Sequence, residues 1–268
     1  MKNYYLPVVL CISVMLFNIP ANAQTNKDFV DAIRNLMDAS FQSDSLELEK
    51  SLQELEGFIK IKDIAHLAYY YLGFGKWQSV MRLGNSAMSN ENATRLIHSA
   101  IDDLQKSVEI KEDFADAYIL SVNCYFALYY MEPGGRTEFI KSASTAKKTA
   151  LELDPQNPRV ILTDAQNIFY TPEQFGGSQE KGIARYKEAI EIFEKEKTEL
   201  PLPNWGHEVA YGWMGNAYFS LKDPNLLKAK EAFDKSLMLR PDFSWVKDTM
   251  LPQVEKQITD FLKESNLK

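Results

Sequence analysis

The chain is poor in the residues that build chemical sites. Its 268 residues include 2 cysteines, Cys11 and Cys124, and 3 histidines, His66, His98 and His207. Cys11 lies in the apolar stretch Leu6–Phe17, which follows Lys2 and precedes the small-x-small site Ala21-Asn22-Ala23. That arrangement reads as a signal peptide, residues 1–23, cleaved before Gln24. Cleavage leaves Cys124 alone, so no intramolecular disulfide can form and an exported chain must rely on packing. Cys124 sits in an aromatic helical stretch, where a thiol behaves as a small apolar residue. No histidine has a partner at ligand spacing. His207-Glu208 lacks the second histidine that a zinc-protease helix carries four residues on, so no metal is expected. No serine stands in a Gly-x-Ser-x-Gly setting. With no catalytic constellation, the sequence predicts a protein that is not an enzyme and takes no cofactor.

Positive charge is also in deficit. Lys and Arg number 30 against 37 Asp and Glu, a formal charge of -7, and loss of Lys2 with the leader lowers it by one. This balance argues against nucleic acid and anionic membrane surfaces, which need clustered cations. Beyond the leader no apolar run reaches bilayer length, and Cys11 is misplaced for an N-terminal lipid anchor. The expectation is an exported protein, periplasmic or secreted. Strand signals are missing too: no sustained alternation appears, and proline and glycine fall almost wholly between segments of helical period. The chain reads as all-α.

What is present is a repeated spacing: a small or apolar residue, a bulky one four on, a small one three further, then a turn residue. It reads Ala143, Lys147, Ala150, Pro155, and again Ala229, Phe233, Ser236, Pro241. Weaker copies are Ala100, Leu104, Ser107, Glu112 and Gly182, Tyr186, Ala189, Glu194. Upstream of the copies lie aromatic-rich or apolar stretches such as Tyr69-x2-Leu72-Gly73, Tyr118-x6-Tyr125, Ile161-x3-Ala165 and Tyr211-x2-Met214-Gly215-x2-Tyr218. Fixed spacing of small and bulky residues marks helix pairs that bury their apolar faces by stacking. The expected organisation is an N-terminal helix pair over 24–62, a repeat array over 63–241 and a capping helix over 242–268. A bend is expected before Pro252. Ser178 reads as an N-cap rather than part of an anion site, and the mixed-charge stretch Glu188–Glu199 as a solvated helix face.

Tyr211, Met214, Gly215, Tyr218, Ala229, Phe233, Ser236 and Pro241 resemble the tetratricopeptide repeat (TPR) family, whose pattern is Trp-x2-Leu-Gly-x2-Tyr, Ala-x3-Phe, Pro. The turn residues Glu112, Pro155, Glu194 and Pro241 are spaced by 43, 39 and 47, against a family period of about 34. The surplus falls between the two helices of a pair, on one edge of the array. The stretches Pro172-x2-Phe175-Gly176-Gly177 and Pro203-Asn204-Trp205-Gly206 are similar to exported bacterial TPR proteins. A looser likeness is to the periplasmic TPR component of TRAP transporters.

The resemblance implies a right-handed α-solenoid of about four degenerate pairs that binds a peptide or protein partner in its concave groove. The alternative it implies is a small-molecule-binding or transport-associated periplasmic component. Carried over by position, the groove row holds Phe74, Asn123, Gln166 and Asn216. Beside it stand Tyr70, Ile119, Leu162 and Gly212, with Trp77, Phe126 and Phe169 one turn further. Carboxamides read a peptide backbone and the aromatics supply pockets. A peptide binder should leave a long open groove, and a small-molecule receptor an enclosed pocket near Tyr70, Trp77 or Trp205.

Overall fold

The computed structural model of the protein describes residues 21–266, with side chains over 24–264. The leader residues 1–20 and the side chains of the cleavage site 21–23 lie outside the described residues. The helices are α1 (Ala21–Gln42), α2 (Ser45–Glu56), α3 (Ala65–Met81), α4 (Glu91–Ile110), α5 (Ala115–Met131) and α6 (Arg136–Leu153). They continue with α7 (Pro158–Tyr170), α8 (Gln179–Phe193), α9 (His207–Phe219), α10 (Leu226–Leu239) and α11 (Leu251–Asn266). There is no strand among the described residues. An N-terminal pair, α1/α2, is followed by four repeat pairs, α3/α4, α5/α6, α7/α8 and α9/α10, numbered first to fourth below, and each pair leans on the next. The chain is an α-solenoid.

Local sequence starts these helices. Asp44, Asn90, Asn157, Ser178 and Asn225 each accept backbone N–H bonds at a helix start, satisfying donors that would otherwise lack partners. Pro158 follows Asn157 at the first helical position, where its missing N–H costs nothing. Three insertions lie inside the pairs as expected and are ordered as short 3-10 turns at Gly84–Ser89, Pro133–Gly135 and Glu173–Phe175. The longest interruption, residues 194–206, instead lies between the pairs α7/α8 and α9/α10, and corrects that expectation for the 47-residue spacing.

The small-and-bulky spacing sets how closely the paired helices approach. Ala100, Ala143, Ala229 and Gly182 are buried, as are Leu104, Tyr186 and Phe233. A Cβ at Gly215 would come within 2.7 Å of the Phe233 ring and 3.1 Å of the Ala229 carbonyl, so only glycine lets α10 lie so near α9. Two of the second small positions are serines, and both fasten their pair. The Ser107 hydroxyl donates to the His66 carbonyl at 2.7 Å, and the Ser236 hydroxyl to the Glu208 carbonyl at 2.8 Å. Ala229→Leu should therefore cost about 1–3 kcal/mol by forcing α9 and α10 apart. Ala184 is exposed on α8, and Ala184→Leu should shift the denaturant midpoint far less. Equal shifts would contradict this register.

One copy departs from the rule. Its bulky position is Lys147, which is not buried and reaches Asp164 at 3.3 Å. Asp164 also accepts from Arg185 at 3.2 Å, and Arg185 reaches Glu188 at 2.6 Å. Between the second and third pairs an ion chain thus stands where the other copies place a large apolar side chain.

The expected bend before Pro252 is a π-helical segment, Trp245–Met250, in which the Leu251 amide bonds five residues back to the Val246 carbonyl. The wider turn ends at a residue that has no N–H to offer. The array curves until its ends touch. Gln42 donates to Asp242 at 2.8 Å, Ser43 and Ser244 share a 2.6 Å bond, and Arg240 reaches Asp38 at 2.6 Å. The Phe41 and Phe243 rings meet edge to face at 5.0 Å, with the Arg240 guanidinium 4.6 Å from the Phe41 centroid.

Candidate functional site

The first helix of each pair, α3, α5, α7 and α9, carries the residues expected to line the groove. They do not share one environment. Tyr70 and Phe74 on α3 are 0% exposed, and Phe169 on α7 is 4% exposed. As groove residues open to a partner these three are corrected: they are core. Phe169 packs against Tyr170 and Tyr186 between its own helices. Tyr70 and Phe74 are covered by the chain itself. The α8–α9 connection, residues 194–206, folds back onto α3 and lays Trp205 on them.

Trp205 is held at three points. Its indole N–H donates to the Tyr70 hydroxyl at 2.9 Å, its ring lies 5.1 Å from Phe74, and its carbonyl accepts from Arg159 at 3.0 Å. The chain then turns into α9 at Gly206, whose φ of 119° belongs to the left-handed region. A Cβ there would also meet the Phe193 ring at 2.7 Å, so glycine is required twice over. Burial raises the Tyr70 hydroxyl pKa far above its ordinary value, so it stays a neutral acceptor for the indole.

Arg159 is a hub that joins α5, α7 and the α8–α9 connection. It is 4% exposed, and Nε donates to Asp116 at 2.5 Å while Nη2 and Nη1 grip Glu196 at 2.5 and 3.1 Å. Asn157 completes the set: its Nδ2 donates to the other Asp116 oxygen at 2.8 Å while its Oδ1 caps α7. Burial disfavours the guanidinium, and Asp116 and Glu196 reverse that effect, leaving its pKa raised. Glu196 belongs to the stretch read as a solvated face, and this half-buried carboxylate corrects that reading in part.

Asn123, Phe126, Gln166, Asn216 and Trp77 remain half-buried on the concave helices. Asn123 and Gln166 have no hydrogen-bond partner among the described residues, whereas Asn216 Nδ2 donates to the Tyr170 hydroxyl at 2.5 Å. Tyr170 is pushed up to about 12 by burial. Sequence reasoning missed the aromatic run beside it: Tyr170 and Trp213 lie 5.9 Å apart and Trp213 and Trp245 5.1 Å apart, with Phe243 beyond at 5.8 Å from Trp245. A cleft of about 360 Å³ opens next to Tyr170, walled by Pro172, Glu173, Ser178, Gln179 and Ser220. Beside Tyr70 and Phe74 the space is taken by Trp205. The three histidines stand apart from one another: His66 against Phe114, His98 beside Glu132, and His207 stacked on Phe193.

No family model matches the sequence, and no curated protein matches it. Solved structures do. The HusA haemophore from Porphyromonas gingivalis superposes with a TM-score of 0.59 at 21% identity, over 77% of this chain and 97% of that one. A thermophilic TPR protein of Thermus thermophilus superposes with a TM-score of 0.53 at 17% identity, over 82% and 95%. The fold is TPR-like, a helical-repeat scaffold. No helix among the described residues is long and apolar enough to cross a membrane.

Proposed function

We propose that the protein is an exported, non-catalytic scaffold, mature from Gln24, that binds a peptide or protein partner along the concave side of its second to fourth pairs. The single observation that supports this best is the pair of side-chain amides, Asn123 and Gln166, at equivalent positions of neighbouring pairs, half-exposed and without partners. Phe126 and Tyr170 stand on the same two helices, and Trp213 on the first helix of the next pair, α9. Unpaired amides next to aromatic surface suit an extended backbone, which offers alternating donors and acceptors. The array 63–241 presents this face and 242–268 caps it.

Changing Asn123 or Gln166 to Ala should move stability by less than about 0.5 kcal/mol, as at a surface position. Asn216→Ala also gives up the bond to Tyr170 and should cost about 1 kcal/mol. Capture of the partner, identified by crosslinking from the native envelope fraction, should weaken by about 1 kcal/mol or more for each substitution. Large stability losses with unchanged capture would make the amides structural. A second reading draws on the Tyr170–Trp213–Trp245 run and on the haemophore likeness: a flat aromatic ligand such as haem. Absorbance titration with haem separates the two, since a peptide-only face gives no saturable spectral change.

A further inference from the structure

The groove of the first pair has an occupant, and its chemistry can be described. Leu200–Trp205 runs between α8 and α9 with prolines at 201 and 203. A turn closed by the Leu202 amide on the Glu199 carbonyl opens it, and Pro203–Trp205 follow without helix or turn. Trp205 is 7% exposed and Pro203 is buried, while Leu202 and Asn204 face solvent. Alternate residues are thus buried and exposed, as in a bound extended peptide. The floor beneath Trp205 consists of Tyr70 and Phe74, the two α3 positions at which the repeat geometry places groove-reading side chains. The floor supplies an aromatic face from Phe74, an acceptor for the indole from Tyr70 and a cation for the backbone carbonyl from Arg159. These are the parts of a ligand site, and the chain satisfies all of them in cis.

We propose that the concave floor of the first pair is a recognition site for a tryptophan carried on an extended, proline-flanked segment, and that Trp205 occupies it as a built-in ligand. An outside partner that uses this floor must carry the same elements and displace Trp205. The inference rests on the concave side being the binding face. In the intact protein Trp205 is tethered at both ends, which gives it an effective concentration of about millimolar or more over a free competitor. The site is therefore closed to weak ligands and opens only to a partner that gains contacts elsewhere.

The probe is the chain's own segment as a labelled, N-acetylated and C-amidated hexapeptide, Leu-Pro-Leu-Pro-Asn-Trp, followed by fluorescence anisotropy. The full chain with Trp205→Ala should bind it at least about tenfold more tightly than the unaltered protein, because the cis competitor is gone. Ending the peptide in alanine should abolish binding. Adding Tyr70→Phe to Trp205→Ala should weaken binding about fivefold, the loss of one hydrogen bond. If Trp205→Ala does not fold, Trp205→Phe keeps the ring against Phe74 and loses only the indole N–H, and it should still admit the peptide better than the unaltered protein does. The proposal is overturned if a folded variant binds no peptide, or if the unaltered protein binds it as well as the variants do. The readout uses no outside partner, so its failure would leave the capture experiment on Asn123, Gln166 and Asn216 standing.

Discussion

Arg159→Leu is expected to lower the free energy of unfolding by about 3–5 kcal/mol, the cost of stranding a buried charge. Asp116 is 7% exposed and would keep only its bond from Asn157. Glu196 is half-buried and can turn toward water, so Asp116 dominates the loss. Urea denaturation of the full chain measures it. The double variant Arg159→Leu with Asp116→Leu should recover part of the loss, because removing both charges also removes their desolvation. A single-variant loss below about 1 kcal/mol would mean that the hub is solvated and that Trp205 is not anchored through it.

The bulky position of the repeat offers the second large effect, read as a contrast. Phe233 is 0% exposed, wedged against Gly215, and Phe233→Ala should cost about 3–5 kcal/mol through lost burial and the cavity left behind. Lys147 holds the same position two copies earlier and is partly exposed. Lys147→Ala should cost about 1 kcal/mol or less, since a solvated ion pair contributes little and Arg185 still neutralises Asp164. Thermal or urea midpoints of the two variants decide it, and comparable losses would show that Lys147 fills space rather than pairing charge.

The repeat was legible because its signal is local. Ala229, Phe233 and Ser236 recur at helical spacing, and Gly73, Gly182 and Gly215 mark places where paired helices nearly touch, so fold class and register could be read from order alone. The groove was only half legible. Position in the repeat picks out Asn123, Gln166 and Asn216 on the first helix of each pair, and all three stand half-buried there. The same rule put Tyr70 and Phe74 there, and nothing in their neighbourhood of the chain announces a cover 135 residues away in sequence. The hint lay elsewhere, in a tryptophan placed among prolines between two helices, because a large ring in a connection has to be buried against something. Arg159 left no such trace. Its partners, 43 residues before and 37 after, follow no period.

The meeting of the two ends changes how this molecule should come apart. An open stack of repeats behaves as a one-dimensional chain: each unit touches only its neighbours, so the ends fray and partly folded species accumulate. Here Phe41 packs on Phe243 and Arg240 holds Asp38, contacts about two hundred residues apart that exist only when every intervening pair is in place. Losing any one pair breaks that seam as well as its local neighbours. The end of α1 is therefore coupled to the turn that follows α10. Unfolding should be a single cooperative transition, with slow amide exchange extending into α1 instead of being confined to the middle of the array.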